Sequence, residues 1–123
     1  MEVVAVLGAS SDTNRYSYKA MELLKQYGHQ ALPIHPRETE VAGEKVFPTL
    51  RDLINRGIKV DTLTMYVNSA LSTKVQQEII DLKPKRVIFN PGSENPDLEK
   101  LLTANGIKVE EACTLVLLRT NQY

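Results

Sequence analysis

The stretch Gly8-Ala9-Ser10-Ser11-Asp12-Thr13-Asn14-Arg15-Tyr16-Ser17 gathers the residue types that hold an anion. Gly8 lets the chain turn where a Cβ would clash and lets a phosphate come close to backbone N–H groups. Ser10 and Ser11 add hydroxyl donors, and Arg15 offers a charged, bidentate contact. A helix starting near Arg15 or Tyr16 would aim the positive end of its dipole at the same place. A plain strand-to-helix turn that binds nothing has much the same composition, since glycine and serine are ordinary loop residues. Both readings stand on these residues alone.

The identity of the anion can be narrowed. A dinucleotide fingerprint needs Gly at its first, third and sixth positions. Counted from Gly8, this chain has Ser10 and Thr13 there. A second apolar run ends in Pro33-Ile34-His35-Pro36-Arg37, without an acidic residue to hold a ribose diol. His35 and Arg37 suit a phosphate instead. A nucleotide carrying an extra ribose phosphate therefore fits better than NAD, and both NADP and coenzyme A meet that description.

Further candidates follow the later apolar runs. Val67 would line a pocket. Asn68 and Ser69 either hydrogen-bond a pyrophosphate or pantetheine amide or cap the next helix. Asn90, Pro91 and Gly92 form either the far wall of a cleft or a turn leading to an Asn95 cap. Glu94 lacks the partner a catalytic base needs, so no catalytic residue is assigned and an enzymatic role is the less favoured one. His29 and His35 are the only histidines and have no second ligand at metal spacing. His29 is expected on the solvent side of a turn at Gly28. Cys113 reads as a small buried hydrophobe or as a thiol that meets a pantetheine thiol in a mixed disulfide. Lys19 and Lys74 read as ordinary helix-surface lysines.

These residues need elements to position them. Val3 to Leu7 reads as a strand buried on both faces. Tyr16, Ala20, Leu23, Leu24 and Tyr27 recur at helical spacing, with Gly28 as the stop. Gln30 to Ile34 is a second strand, and Glu38 to Pro48 a polar loop. Thr49 caps a short helix answered by Asp52 and ended by Gly57. A strand over 60–67 precedes a helix marked by Leu71, Val75, Ile79 and Leu82. Arg86 to Asn90 is a fourth strand. Asn95 and Pro96 start a helix that ends near Asn105-Gly106. Ile107 to Glu111 is a last strand, and the apolar CTLVLL segment follows. Alternating strands and helices predict an α/β fold: a doubly wound parallel sheet, Rossmann-like, in three α/β/α layers. In such sheets ligands sit at the carboxyl ends of the strands, beside the switch in strand order.

The 123 residues favour a single domain spanning 1–123. Fifteen basic and fifteen acidic residues cancel, which leaves no electrostatic footprint for nucleic acid. One cysteine excludes an internal disulfide and a multi-cysteine metal site. No apolar run approaches twenty residues and no leader is visible. A soluble, cytoplasmic protein with no membrane partner is expected.

The stretch from Val4 to Leu50 also resembles the opening of the small stand-alone CoA-binding proteins. Their domain is similar to the CoA-binding domain of the succinyl-CoA synthetase alpha subunit. The likeness rests on the Gly-Ala-Ser turn, the Arg-Tyr-Ser-Tyr helix start, the Tyr-Gly-His helix end, the His-Pro pair, the Gly-Glu-Lys-Val segment and the Pro before the short helix. It continues through FNPGSENPDLEKLLTANGIKVEEACTLVLL. Two departures stand out: His35 replaces a usual Asn, and MYVNSA replaces an acidic-aromatic-Arg run. The resemblance implies a Rossmann-like fold and a coenzyme A or acyl-CoA ligand, without implying a reaction. The expected partners are this nucleotide-like small molecule and, as an open alternative, a partner protein or a homo-oligomer. An NADP-dependent reductase, a CoA ligase or transferase fragment, and an interaction module with a vestigial site are the other readings.

Overall fold

A computed structural model describes residues 1–123. Five parallel strands form its central sheet: Val3–Leu7 (β1), Gln30–Ile34 (β2), Thr62–Met65 (β5), Arg86–Phe89 (β6) and Lys108–Glu111 (β7). The other two, Glu40–Val41 (β3) and Glu44–Lys45 (β4), make a small antiparallel hairpin. The central order is β2-β1-β5-β6-β7. The register aligns the carboxyl ends: Leu7 lies beside Ile34 and Met65, Met65 beside Phe89, and Phe89 beside Glu111. The first crossover runs outward from β1 to β2. The next returns across β1 to β5, so the chain reverses direction between β1 and β5.

Strand alternation sorts the core onto two faces. Ala5, Leu7, Leu63, Met65, Val87 and Phe89 face one way. They meet Leu50 and Leu53 of α2 (Leu50–Asn55), Ile79 and Leu82 of α4 (Gln76–Leu82), and Leu98 and Leu102 of α5 (Pro96–Ala104). Val4 and Val6 face the other way, toward Met21 and Leu24 of α1 (Tyr16–Gln26) and Leu118 of α6 (Thr114–Arg119). A fully buried Leu or Phe side chain stabilises the fold by about 1.5–3 kcal/mol, and most of these are wholly inaccessible. The result is the Rossmann-like three-layer α/β/α arrangement expected from the sequence.

Three local expectations change. The 38–48 segment contains a hairpin, turned by Ala42 and Gly43 at φ of 51° and 80°. Val41 and Val46 anchor it in the core, and Lys25 clamps it by donating to the Ala42 carbonyl and pairing with Glu44, both at 2.8 Å. The helix after β5 is broken at Val75 into α3 (Ser69–Lys74) and α4. The buried Asn95 amide donates along α3, to the Ser69 carbonyl, Ser72 Oγ and Thr73 Oγ1. His29 is half-buried: its Nδ1 accepts from the Glu2 amide at 3.0 Å, and its ring lies 5.0 Å from that of Tyr123. No helix is long and apolar enough to cross a membrane.

Candidate functional site

Gly8 leaves β1 with φ of +88°. A Cβ built there would lie 2.8 Å from both the Tyr66 carbonyl oxygen and Val67 Cγ1. Glycine is thus fixed by the approach of the β5–α3 turn as well as by its own backbone. The amides of Gly8 and Ala9 both donate to the Ile34 carbonyl, at 3.0 and 3.3 Å, joining the ends of β1 and β2. The Ser10 amide donates to Ser17 Oγ, the Asp12 amide to Ser10 Oγ, and the Asn14 amide to Asp12 Oδ1. These bonds fold the loop onto the start of α1 and use most of its donors locally.

The helix itself keeps its end open. Arg15 occupies the N-cap position with an extended backbone and gives no side-chain cap, and the first turn of α1 holds no acidic residue. The Tyr16, Ser17 and Tyr18 amides have no intrahelical acceptor. Thr49, Asn68 and Asn95 cap α2, α3 and α5, whereas α4 and α6, like α1, have no side-chain cap. Neither Arg15 nor Arg37 forms an ion pair in the fold. An open helix N-terminus that carries an unpaired guanidinium at its cap position can receive an anion.

A cleft of about 510 Å³ opens at the carboxyl edge of the sheet, between β1, β2 and β5. Of the residues the sequence singled out, Gly8, His35, Pro36, Arg37, Val67 and Asn68 line it. Leu7, Ile34, Leu50, Leu71 and Val75 add apolar wall, and Pro48, Thr49 and Glu78 add part of the rim. Ser10, Ser11, Arg15, Tyr16 and Ser17 do not line it; they lie along the loop after Gly8 and the start of α1, with Ser17 buried and Tyr16 exposed. Ala9 is buried against the α1 face.

Other predicted residues are not brought to this cleft. Pro33 is buried within β2 opposite Val6. Asn90 is 2% exposed. Its Nδ2 donates to Thr64 Oγ1 at 2.6 Å and to the Met65 carbonyl at 2.8 Å, and its Oδ1 accepts from the Thr114 amide at 2.9 Å. That side chain ties β5, β6 and α6 together, with both its amide hydrogens bonded inside the core. Pro91 and Gly92 are exposed beyond it, and the Gly92 amide donates to Glu94 Oε1. Ser69 is exposed as the first residue of α3, behind the Asn68 cap. Cys113 is half-buried before α6 and does not line the cleft. Burial pushes the Tyr66 phenol above its ordinary range, so it stays protonated.

Sequence reasoning missed the Glu38 carboxylate. The turn after β2 is closed by His35, whose Nδ1 accepts from the Arg37 and Glu38 amides at 3.0 and 3.2 Å. It directs Glu38 back to the first loop, where its carboxylate accepts from the Ser11 amide. The Ser11 hydroxyl and amide, with His35 and Arg37 nearby, hold this carboxyl below its usual range. The wall residues Pro48, Leu50, Leu71, Val75 and Glu78 were also missed, because only the returning crossover brings them to β1.

Comparison with known proteins settles the family. The CoA binding domain family matches residues 2–119. The chain belongs to that family. A 51-residue stretch, 41% of the chain, is 35% identical to the alpha subunit of the ADP-forming acetate–CoA ligase II of Pyrococcus furiosus. The match spans only 11% of that subunit. Among solved structures, an uncharacterized protein is 39% identical with a TM-score of 0.89, over 100% of this chain and 98% of the other. A Thermus thermophilus protein is 29% identical with a TM-score of 0.88, over 99% of this chain and 90% of the other.

Proposed function

We propose that this CoA-binding-family chain binds coenzyme A or an acyl-CoA at the β1/β5 switch point, and that it acts as a soluble, cytoplasmic carrier, sensor or presenting partner without catalysis of its own. The observation that carries the reading is the open cleft at the strand reversal, lined by Gly8 where the loop toward the uncapped start of α1 begins. Phosphates would lie on the α1 end near Ser10, Ser11 and Arg15. The nucleotide would lie between the His35–Arg37 turn and Val67–Asn68, against the apolar wall. Asn90 supports the site by holding the end of β5 in place.

A dinucleotide is the second reading, because Glu38 brings to the end of β2 a carboxylate that a ribose diol can use. A thermal-shift panel of CoA, acetyl-CoA, dephospho-CoA, NAD, NADP and ADP separates the two. A ligand at a hundred times its dissociation constant adds about 2.7 kcal/mol of stability. The largest shift is expected with CoA or acetyl-CoA. A larger shift with NADP or NAD would reverse the ranking, and no shift with any ligand would leave an interaction module with a vestigial site. Equal shifts with CoA and dephospho-CoA would remove the ribose-phosphate role of His35 and Arg37.

A further inference from the structure

We propose that the Glu38 carboxylate is a built-in occupant of the anion position on the first loop, and that a ligand phosphate must take its place at the Ser11 amide. The proposal rests on the reading of this site as one for CoA.

The loop's donors are not equivalent. The Gly8 and Ala9 amides close the β1–β2 edge on a main-chain carbonyl. The Ser10, Asp12 and Asn14 amides bond side chains of the loop itself or of the first turn of α1. Releasing any of these would unmake the turn. Ser11 is different: its amide is held by a group from another loop, 27 residues away, and that group is an anion. The bond is exposed to solvent, so it can exchange without opening the core. An N–H shared between two anions bonds each less well, and a phosphate beside an ionised carboxylate meets like-charge repulsion. Glu38 makes no ion pair with a basic side chain that would draw it elsewhere. The carboxylate therefore orders the loop and lowers its affinity for anions, so that only a ligand with strong phosphate contacts displaces it.

The test is calorimetric titration of CoA into the wild-type protein, Glu38→Gln and Glu38→Ala. Both variants change an exposed contact, and a thermal melt without ligand checks that each is folded. Both are expected to bind CoA about tenfold more tightly than wild type, equivalent to about 1.4 kcal/mol. The Ser11 amide resonance is a second readout. It should differ between wild type and variants without ligand and converge when CoA saturates all three. Weaker binding by the variants would overturn the proposal and make Glu38 a ligand contact. Unchanged affinity, or a Ser11 resonance that ignores CoA, would show that the phosphate never reaches this amide. Absence of CoA binding by all three proteins would instead remove the CoA reading, and the proposal with it.

Discussion

Asn90 shows how one side chain decides between holding a ligand and holding the fold. At the carboxyl end of β6 it has the position of a ligand contact, yet its amide is spent on Thr64, Met65 and Thr114. Replacing it with alanine leaves the Thr114 amide and the Met65 carbonyl buried without this partner. Unsatisfied buried groups cost about 1–3 kcal/mol each, so Asn90→Ala should destabilise by roughly 3 kcal/mol. Urea unfolding would read this as a lower midpoint at unchanged slope. A variant as stable as wild type but unable to bind CoA would contradict the structural role. The sequence showed Asn90 at the right edge of the sheet. It could not show which way the amide was committed, because its partners are 24 to 26 residues away.

At the scale of elements, α1 trades its own stability for an open end. An aspartate at its N-cap would accept from the orphan amides, and such caps contribute about 1 kcal/mol. Arg15→Asp should therefore raise the melting temperature without ligand while weakening CoA binding by roughly tenfold, since it blocks the helix end and adds a like charge. Equal affinity in the variant would place the phosphates away from α1. The helices and central strands were legible because hydrophobic period and caps are local signals: Val3–Leu7, the Thr49–Asp52 capping box and the Asn95-Pro96 start all stand as read. The β3–β4 hairpin was not legible, since its polar sequence hides the two buried valines that fix it. The break at Val75 was also hidden, because Leu71, Val75, Ile79 and Leu82 keep helical spacing across it.

Across the whole molecule, charge acts at both edges of the sheet. At the amino edge, Asp61 accepts from the Val3 amide at 2.8 Å and pairs with Lys85 at 3.0 Å, joining the starts of β1 and β5. The Val3 amide, and then Lys85, hold its carboxyl below the usual range. A depressed folded pKa adds stability that is present above the unfolded value of about 3.9 and lost as pH falls through the folded value. The melting temperature of wild type should fall through this acid range, and that of Asp61→Asn should fall less steeply there. Parallel curves would contradict this. At the carboxyl edge, the cleft with Arg37 lies at the strand reversal, and the loop after Gly8 leads from it to Arg15 and the uncapped α1. Sequence order located that edge through the loops after each strand. The far wall, from Pro48 to Glu78, depends on a crossover whose path no local pattern records. The most direct test of the account is an amide ¹H–¹⁵N NMR titration with CoA. CoA is expected to shift resonances concentrated at Gly8–Ser17, His35–Glu38 and Val67–Ser69. Shifts confined to the opposite edge, around His29 and Tyr123, or no shifts at saturating CoA, would contradict this.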